Sequence, residues 1–339
     1  MRALVIEPLE NLSLSLTPVT GLELFSYVVS SPIPLPTTVA GVLGNMLEIR
    51  LSSDDPLKGL EELVNKLREK LVCSQPMLLG PFIFFLYREK IVGPTITIYE
   101  KDQAIFVSPD LFQGTFLNLD KCKTFESCFM YKPKAMIGVA LERSGLEGDK
   151  KVKEGFMYKY PISTYSSLID EASVKPFFTY LLNCERDIPR TIVRIGGEGR
   201  IGYIYTDNKI ITDHFEKIFN PLNLNEKGIY IALSPIPLLS KRSEDLYLEN
   251  LLGLEFTGDI NNVLGLPSKD PEKISRKIIV ERIGLGYYEV RNIRRPQILM
   301  MPSGTLIRVK DLKKPVYPSI LRNLYDIGFA SLYQLSSSA

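Results

Sequence analysis

Residues 190–205 read RTIVRIGGEGRIGYIY. Apolar and polar side chains alternate on both sides of the glycines, so Arg190–Ile195 and Ile201–Tyr205 are predicted strands joined by a turn, Gly196-Gly197-Glu198-Gly199-Arg200. Gly197, Gly199 and Gly202 formally satisfy G-x-G-x-x-G. A dinucleotide fold, however, needs a helix immediately after the glycines, with its N-terminus on the pyrophosphate. Here Gly202-Tyr203-Ile204-Tyr205 continues as strand, and no Gly-Lys-Ser or Gly-Lys-Thr supplies a phosphate-binding P-loop. The reading that remains is a glycine turn whose bare amides approach a nucleic-acid backbone while Arg194 and Arg200 hold its phosphates. A plain hairpin turn is the alternative.

The same alternation of strands with a few helices runs outward from this stretch. Ala3–Ile6, Leu12–Leu16, Glu23–Val29, Leu78–Tyr87, Ile91–Tyr99, Ala135–Leu141 and Gly155–Tyr160 are predicted strands. Asp102–Pro133 reads as long and irregular, and Glu142–Lys153 as a charged insert. A helix starting at Pro36 or Thr37 follows the proline-rich run Ser31–Pro36. It carries Gly41 and Gly44 on one face, which allows either close packing or a phosphate at its N-terminus. Pro56–Leu71 places six apolar residues at helical spacing, and a further helix is expected near Val174–Leu182. Toward the C-terminus, Lys277–Arg282 is a predicted strand, and Gln297–Val309 reads as a hairpin around Pro302-Ser303-Gly304.

At 339 residues the chain is expected to form two domains, 1–165 and 166–339. Hydrophobic residues make up 45% and charged residues 24%, which excludes disordered and collagenous classes. With no apolar stretch long enough to span a bilayer and no signal-peptide pattern after Met1, the expected location is cytoplasmic, away from membranes. The four cysteines, Cys73, Cys122, Cys128 and Cys184, form no C-x-x-C pair, so they are expected as buried free thiols, with neither metal nor cofactor. The one histidine, His214, lies in a predicted short helix and leaves hydrolases and nucleases that need two histidines without their base.

The formal charge of +2 hides an uneven distribution. Residues 271–314 hold eleven basic side chains against four acidic ones, a net +7, and the rest of the chain is −5. Arginines outnumber lysines there and Tyr287 and Tyr288 lie among them, so the stripe combines phosphate donors with stacking planes. Tyr287, Tyr288, Arg291, Arg294 and Arg295 are therefore candidate nucleic-acid-binding residues, beside Arg194, Gly196, Gly197, Gly199 and Arg200.

The helix after the proline-rich run, the Gly-Gly-Glu-Gly-Arg turn, and Arg294-Arg295-Pro296 followed by Met301-Pro302-Ser303-Gly304-Thr305 together resemble the RAMP superfamily of CRISPR proteins, and within it the subunits of the type III-B Cmr effector. The resemblance implies an α+β chain of two ferredoxin-like (RNA-recognition-type) domains with insertions. It also implies a noncatalytic scaffold in a heteromeric complex, gripping the 5′ tag of the crRNA and touching the large Cas subunit and a neighbouring RAMP backbone subunit. On that resemblance the Gly196–Arg200 turn is the tag-contacting loop, and Gly284, Gly286 and the arginines after them are a second candidate RNA-binding surface. The alternative is a crRNA-processing RAMP endonuclease built around His214, and a third reading is a protein-interaction subunit without RNA contact.

Overall fold

The computed structural model describes residues 2–16, 29–100, 103–123, 127–143, 150–239, 263–268, 277–310, 312 and 316–337. The first eleven strands are β1 (Arg2–Pro8), β2 (Cys73–Tyr87), β3 (Lys90–Glu100), β4 (Gln103–Val107), β5 (Phe112–Gln113), β6 (Phe116–Leu117), β7 (Cys128–Arg143), β8 (Lys150–Ser167), β9 (Lys175–Cys184), β10 (Thr191–Arg194) and β11 (Ile201–Thr206). Helices α1 (Pro36–Met46) and α2 (Pro56–Leu71) lie between β1 and β2. The chain continues through β12 (Ile218–Phe219), β13 (Gly228–Ala232), β14 (Ile236–Leu238), β15 (Val263–Gly265), β16 (Glu281–Gly284), β17 (Tyr287–Tyr288) and β18 (Ile293–Arg294). It ends with β19 (Gln297–Met301), β20 (Leu306–Val309), helix α3 (Ser319–Asp326) and β21 (Leu332–Ser336). The class is α+β, dominated by sheet.

Nine strands form one sheet in the order β10-β11-β1-β9-β2-β3-β4-β7-β8. Both β1 and β2 are antiparallel to β9 between them, so they run parallel to each other, and α1 and α2 supply the crossover that parallel strands need. A second sheet has the order β12-β21-β13-β20-β15, and a third has β14-β19-β16. The expected break between residues 165 and 166 falls inside β8, and β9, β10 and β11 join the sheet of β1.

Burial sorts the sheets into layers. One face of the nine-stranded sheet shares a core with α1 and α2 through Val39, Leu43, Leu60, Val64 and Leu67. Its other face, with Val5, Phe82, Phe84 and Ile98, packs on Ile229, Ile231, Leu306 and Tyr333 of the five-stranded sheet. Leu321 and Tyr325 of α3 close the far side of that second sheet. Helix α2 matches its sequence prediction residue for residue because its apolar stripe coincides with a strong start signal: the Asp55 carboxylate accepts from the amides of Leu57 and Lys58 at 2.7 and 3.1 Å.

Several expectations are overturned. The expected helix Val174–Leu182 is, from Lys175 on, strand β9, since this stretch is buried on both faces at the centre of the sheet and its apolar run carries no helical period. Gln297–Val309 is not a hairpin: β19 pairs with β14 and β16, whereas β20 pairs with β13 and β15. The Pro302-Ser303-Gly304 turn instead carries the chain from one sheet to another. Gly304 has φ +90°, donates to the Ala232 carbonyl at 2.7 Å and lies against the Ile98 backbone, where a Cβ would not fit. Nor are the cysteines free. Cys73 is bonded to Cys184 and Cys122 to Cys128, the first pair because β2 and β9 set those residues opposite each other. His214 sits in a short 3-10 turn, Asp213–Lys217, and Asp102–Pro133 contains β4, β5, β6 and the start of β7. Most of the expected strand Glu23–Val29, residues 144–149 of the charged insert, and Lys273, Arg276, Lys313 and Lys314 lie outside the described residues.

Candidate nucleic-acid interface

The interface is built on the extended segment Leu12–Leu16. Its Ser13 carbonyl accepts from the Gly197 amide at 2.8 Å, and its Leu16 carbonyl accepts from the Gly284 amide at 2.8 Å. The two glycine-rich segments singled out in the sequence are 87 residues apart yet are anchored three residues apart on one extended segment, a span of about 10 Å.

The Gly196–Arg200 turn joins the antiparallel pair β10 and β11. Gly196 has φ +75°, and a Cβ there would run into the Ser13 carbonyl, so only glycine fits. Arg194 is exposed on β10. Arg200 is already committed: it is ion-paired with Glu10 and donates to the Tyr160 hydroxyl at 3.2 Å. That hydrogen-bonded pairing raises the Arg200 pKa and lowers that of Glu10.

The other segment closes over the start of α1. Gly284, Gly286, Arg294 and Arg295 line one small cavity with Leu16, Thr37 and Thr38. Helix α1 begins without a side-chain cap: Leu35 occupies the cap position, and Pro36 has no N–H to offer. Thr37 is 7% exposed, and its hydroxyl has no hydrogen-bond partner. Arg295 is 9% exposed, donates to the carbonyls of Tyr287 at 2.7 Å and Pro56 at 3.3 Å, and lies 5.0 Å from the Tyr288 ring centre. Among the described residues no carboxylate is ion-paired with it, and burial lowers its pKa. A buried guanidinium with no ion-paired carboxylate among the described residues and only the longer-range pull of Glu289, an unsatisfied hydroxyl and the positive end of a helix dipole meet at one place. Together they suit an anion.

The remaining sequence-predicted residues divide. Arg294 is exposed at the cavity rim, and Tyr287 is half-exposed. Arg291 is exposed and pairs with Asp54 at 3.1 Å. Tyr288 is fully buried, with its hydroxyl donating to the Ser53 carbonyl, so its ring has no free face for a base; it serves packing instead. Thr37, Thr38 and Ser15 were absent from the sequence-derived set, although the uncapped Leu35-Pro36-Thr37 start carried a signal. No group of residues suited to hold a metal ion occurs among the described residues, and no described helix is long and apolar enough to cross a membrane.

No family model and no curated protein matches the chain in sequence. Solved structures match it in fold. A chain in the cryo-EM structure of the Type III-B Cmr-beta bound to cognate target RNA superposes with a TM-score of 0.60 at 18% identity, over 98% of this chain and 97% of that one. This chain shares the fold of that Cmr-beta chain. A chain in the Cmr-beta structure bound to cognate target RNA and AMPPnP, state 1, gives a TM-score of 0.61 at the same identity and coverage. The likeness extends over nearly the whole of both chains.

A neighbouring carboxylate holds the wall behind the site. Glu62 on α2 accepts from Lys66 at 2.7 Å and from the amides of Ser52 and Ser53 at 3.0 and 3.1 Å, which lowers its pKa from 4.5 to about 2. A depressed carboxylate contributes stability above its unfolded pKa and loses it as pH falls toward the folded value. The stability difference between the native chain and Glu62→Gln should therefore be constant above about pH 5, shrink between 4.5 and about 2, and vanish below. Thermal unfolding of both proteins across that range checks this, and a difference that persisted at pH 2 would contradict it.

Proposed function

We propose that this chain is a noncatalytic RNA-binding subunit of a type III-B (Cmr) CRISPR effector, in the place of its third subunit. In this reading it holds the 5′ tag of the crRNA within a cytoplasmic heteromeric complex and contacts the large Cas subunit and a neighbouring RAMP subunit. The observation that carries the reading is the buried Arg295, with no ion-paired carboxylate among the described residues, beside the unsatisfied Thr37 hydroxyl at the start of α1. An RNA phosphate supplies the missing charge, and the exposed Arg294 and Arg194 can hold adjacent phosphates along the Leu12–Leu16 line. The fold likeness to Cmr-beta chains supports it.

Two ferredoxin-like units are the architecture that the strand orders favour. The runs β11-β1-β9-β2 and β21-β13-β20-β15 each place fourth, first, third and second strands side by side. Helices α1 and α2 lie between first and second strand of the former, and α3 between third and fourth of the latter. A noncatalytic role is supported by His214, whose Nδ1 is 2.9 Å from the Tyr333 hydroxyl, a ring packed against Phe82.

Thr37→Val removes the unsatisfied hydroxyl at nearly constant volume, and Arg294→Ala removes an exposed charge. Together they should weaken binding of single-stranded RNA carrying the tag by about 1–3 kcal/mol and make the salt dependence shallower by about one phosphate contact. Arg295 is the poorer probe, since its removal also releases the carbonyls of Tyr287 and Pro56. A salt-titrated binding assay with folded variants decides it; unchanged affinity and slope would leave the chain a protein-interaction subunit.

A further inference from the structure

Resting on the RNA-binding reading, we propose that Glu10 is a positioning residue that occupies Arg200 in the free chain and gives it up to an RNA phosphate on binding. The Glu10 carboxylate is divided between two donors. One oxygen accepts from the Ile201 amide at 3.0 Å and the other from Nη1 of Arg200, so the guanidinium is held through a single nitrogen. Its Nη2 donates to the Tyr160 hydroxyl at 3.2 Å, and its Nε is buried without a hydrogen-bond partner among the described residues. An arginine fork meets a phosphate through two parallel donors, and a buried N–H left unpaired is costly. A phosphate that takes up Nε together with a terminal nitrogen therefore satisfies more of Arg200 than Glu10 does.

The surroundings suit an exchange. The Arg200 and Glu10 side chains are 20% and 36% exposed, so water reaches the pair and weakens it. Next to Arg200, a Cβ on Gly199 would meet nothing within 4 Å, which leaves open space beside the guanidinium's own backbone. The extended segment Leu12–Leu16 is held from both edge strands of the nine-stranded sheet: the Ser163 amide of β8 donates to the Leu12 carbonyl at 2.8 Å, opposite the Gly197 bond to Ser13. Arg200, between Glu10 and Tyr160 of β8, spans the same gap. The exposed Arg194 is paired with Ile201 across β10 and β11, so the two arginines stand one residue apart in register and one RNA backbone crossing the turn can engage both. Glu198, exposed in the turn, adds a negative charge of its own and serves as the control for plain repulsion.

The test is the sign of the effect. Single-stranded RNA carrying the tag is titrated by fluorescence anisotropy, at several salt concentrations, against the native chain, Glu10→Gln, Glu198→Gln, Arg200→Gln and the two double variants with Arg200→Gln, each confirmed as folded by thermal unfolding. Glu10→Gln keeps an acceptor for the Ile201 amide and removes the charge that holds Arg200. It should bind the RNA about fivefold more tightly than the native chain, the upper end of what an ion pair open to water contributes, and more tightly than Glu198→Gln does. Arg200→Gln should bind more weakly, with a salt dependence shallower by about one phosphate contact. In the Arg200→Gln background the two carboxylate replacements should act alike, since only repulsion is left to relieve. A Glu10→Gln chain that binds no more tightly than the native one, or an Arg200→Gln chain with the native salt dependence, would show that Arg200 stays on Glu10 and overturn the proposal. If either result comes with the loss expected for Thr37→Val and Arg294→Ala, the RNA-binding reading stands without it, whereas a native chain that does not bind the RNA overturns both.

Discussion

Replacing Arg68 with methionine is expected to destabilise the chain by about 3–5 kcal/mol, because it leaves a carboxylate buried without its counter-charge. Asp326, in α3, is 0% exposed. It is ion-paired with Arg68 of α2 and also accepts from the Met77 amide at 2.9 Å. The pair ties the helix layer on the first sheet to the helix that covers the second, and it joins positions 258 residues apart. Asp326→Asn combined with Arg68→Met should recover much of the loss, since the neutral amide still accepts from Met77 while no charge is stranded. Urea unfolding of the two single variants and the double variant measures the coupling. Simple additivity of the two changes would mean that the pair contributes through packing alone.

Cutting the Cys73–Cys184 bond, by Cys73→Ser or by reduction, should cost about 4–5 kcal/mol, the chain-entropy value for a cross-link that closes a loop of this size. The bond spans 111 residues, and the enclosed chain includes β3 to β8 and the whole outer half of the nine-stranded sheet. The Cys122–Cys128 loop is only six residues apart and should contribute much less. Unfolding midpoints with and without a thiol reductant test this. The native chain should lose stability on reduction and Cys73→Ser should be nearly insensitive to it, whereas equal midpoints in all samples would show that the bridge does not constrain the unfolded chain.

Much of the local structure was legible because it depends on neighbours in sequence. The stripe of α2 and its Asp55 cap and the strand–turn–strand of 190–205 both follow from residue spacing. Where reading failed, the deciding partner was distant. An apolar run such as Val174–Leu182 carries no period when it is buried on both sides, and sheet partners on either side of it made it strand. The chemistry of Pro302-Ser303-Gly304 does specify a turn, but whether a turn returns a strand to its neighbour or hands it to another sheet depends on who accepts its hydrogen bonds.

The candidate site divides the same way. Composition alone marked the arginine-rich stripe and the glycine segments as suited to a phosphate backbone, since charge and the absence of Cβ atoms are properties of residues. Their joint use was decided by tertiary structure. Leu12–Leu16 draws Gly197 and Gly284 onto one segment, and the start of α1 closes beneath Arg295. Folding also turned Tyr288 from a stacking candidate into core and buried Arg295. Burial and pairing are set by contacts across hundreds of residues, and only the register of the sheets determines those contacts.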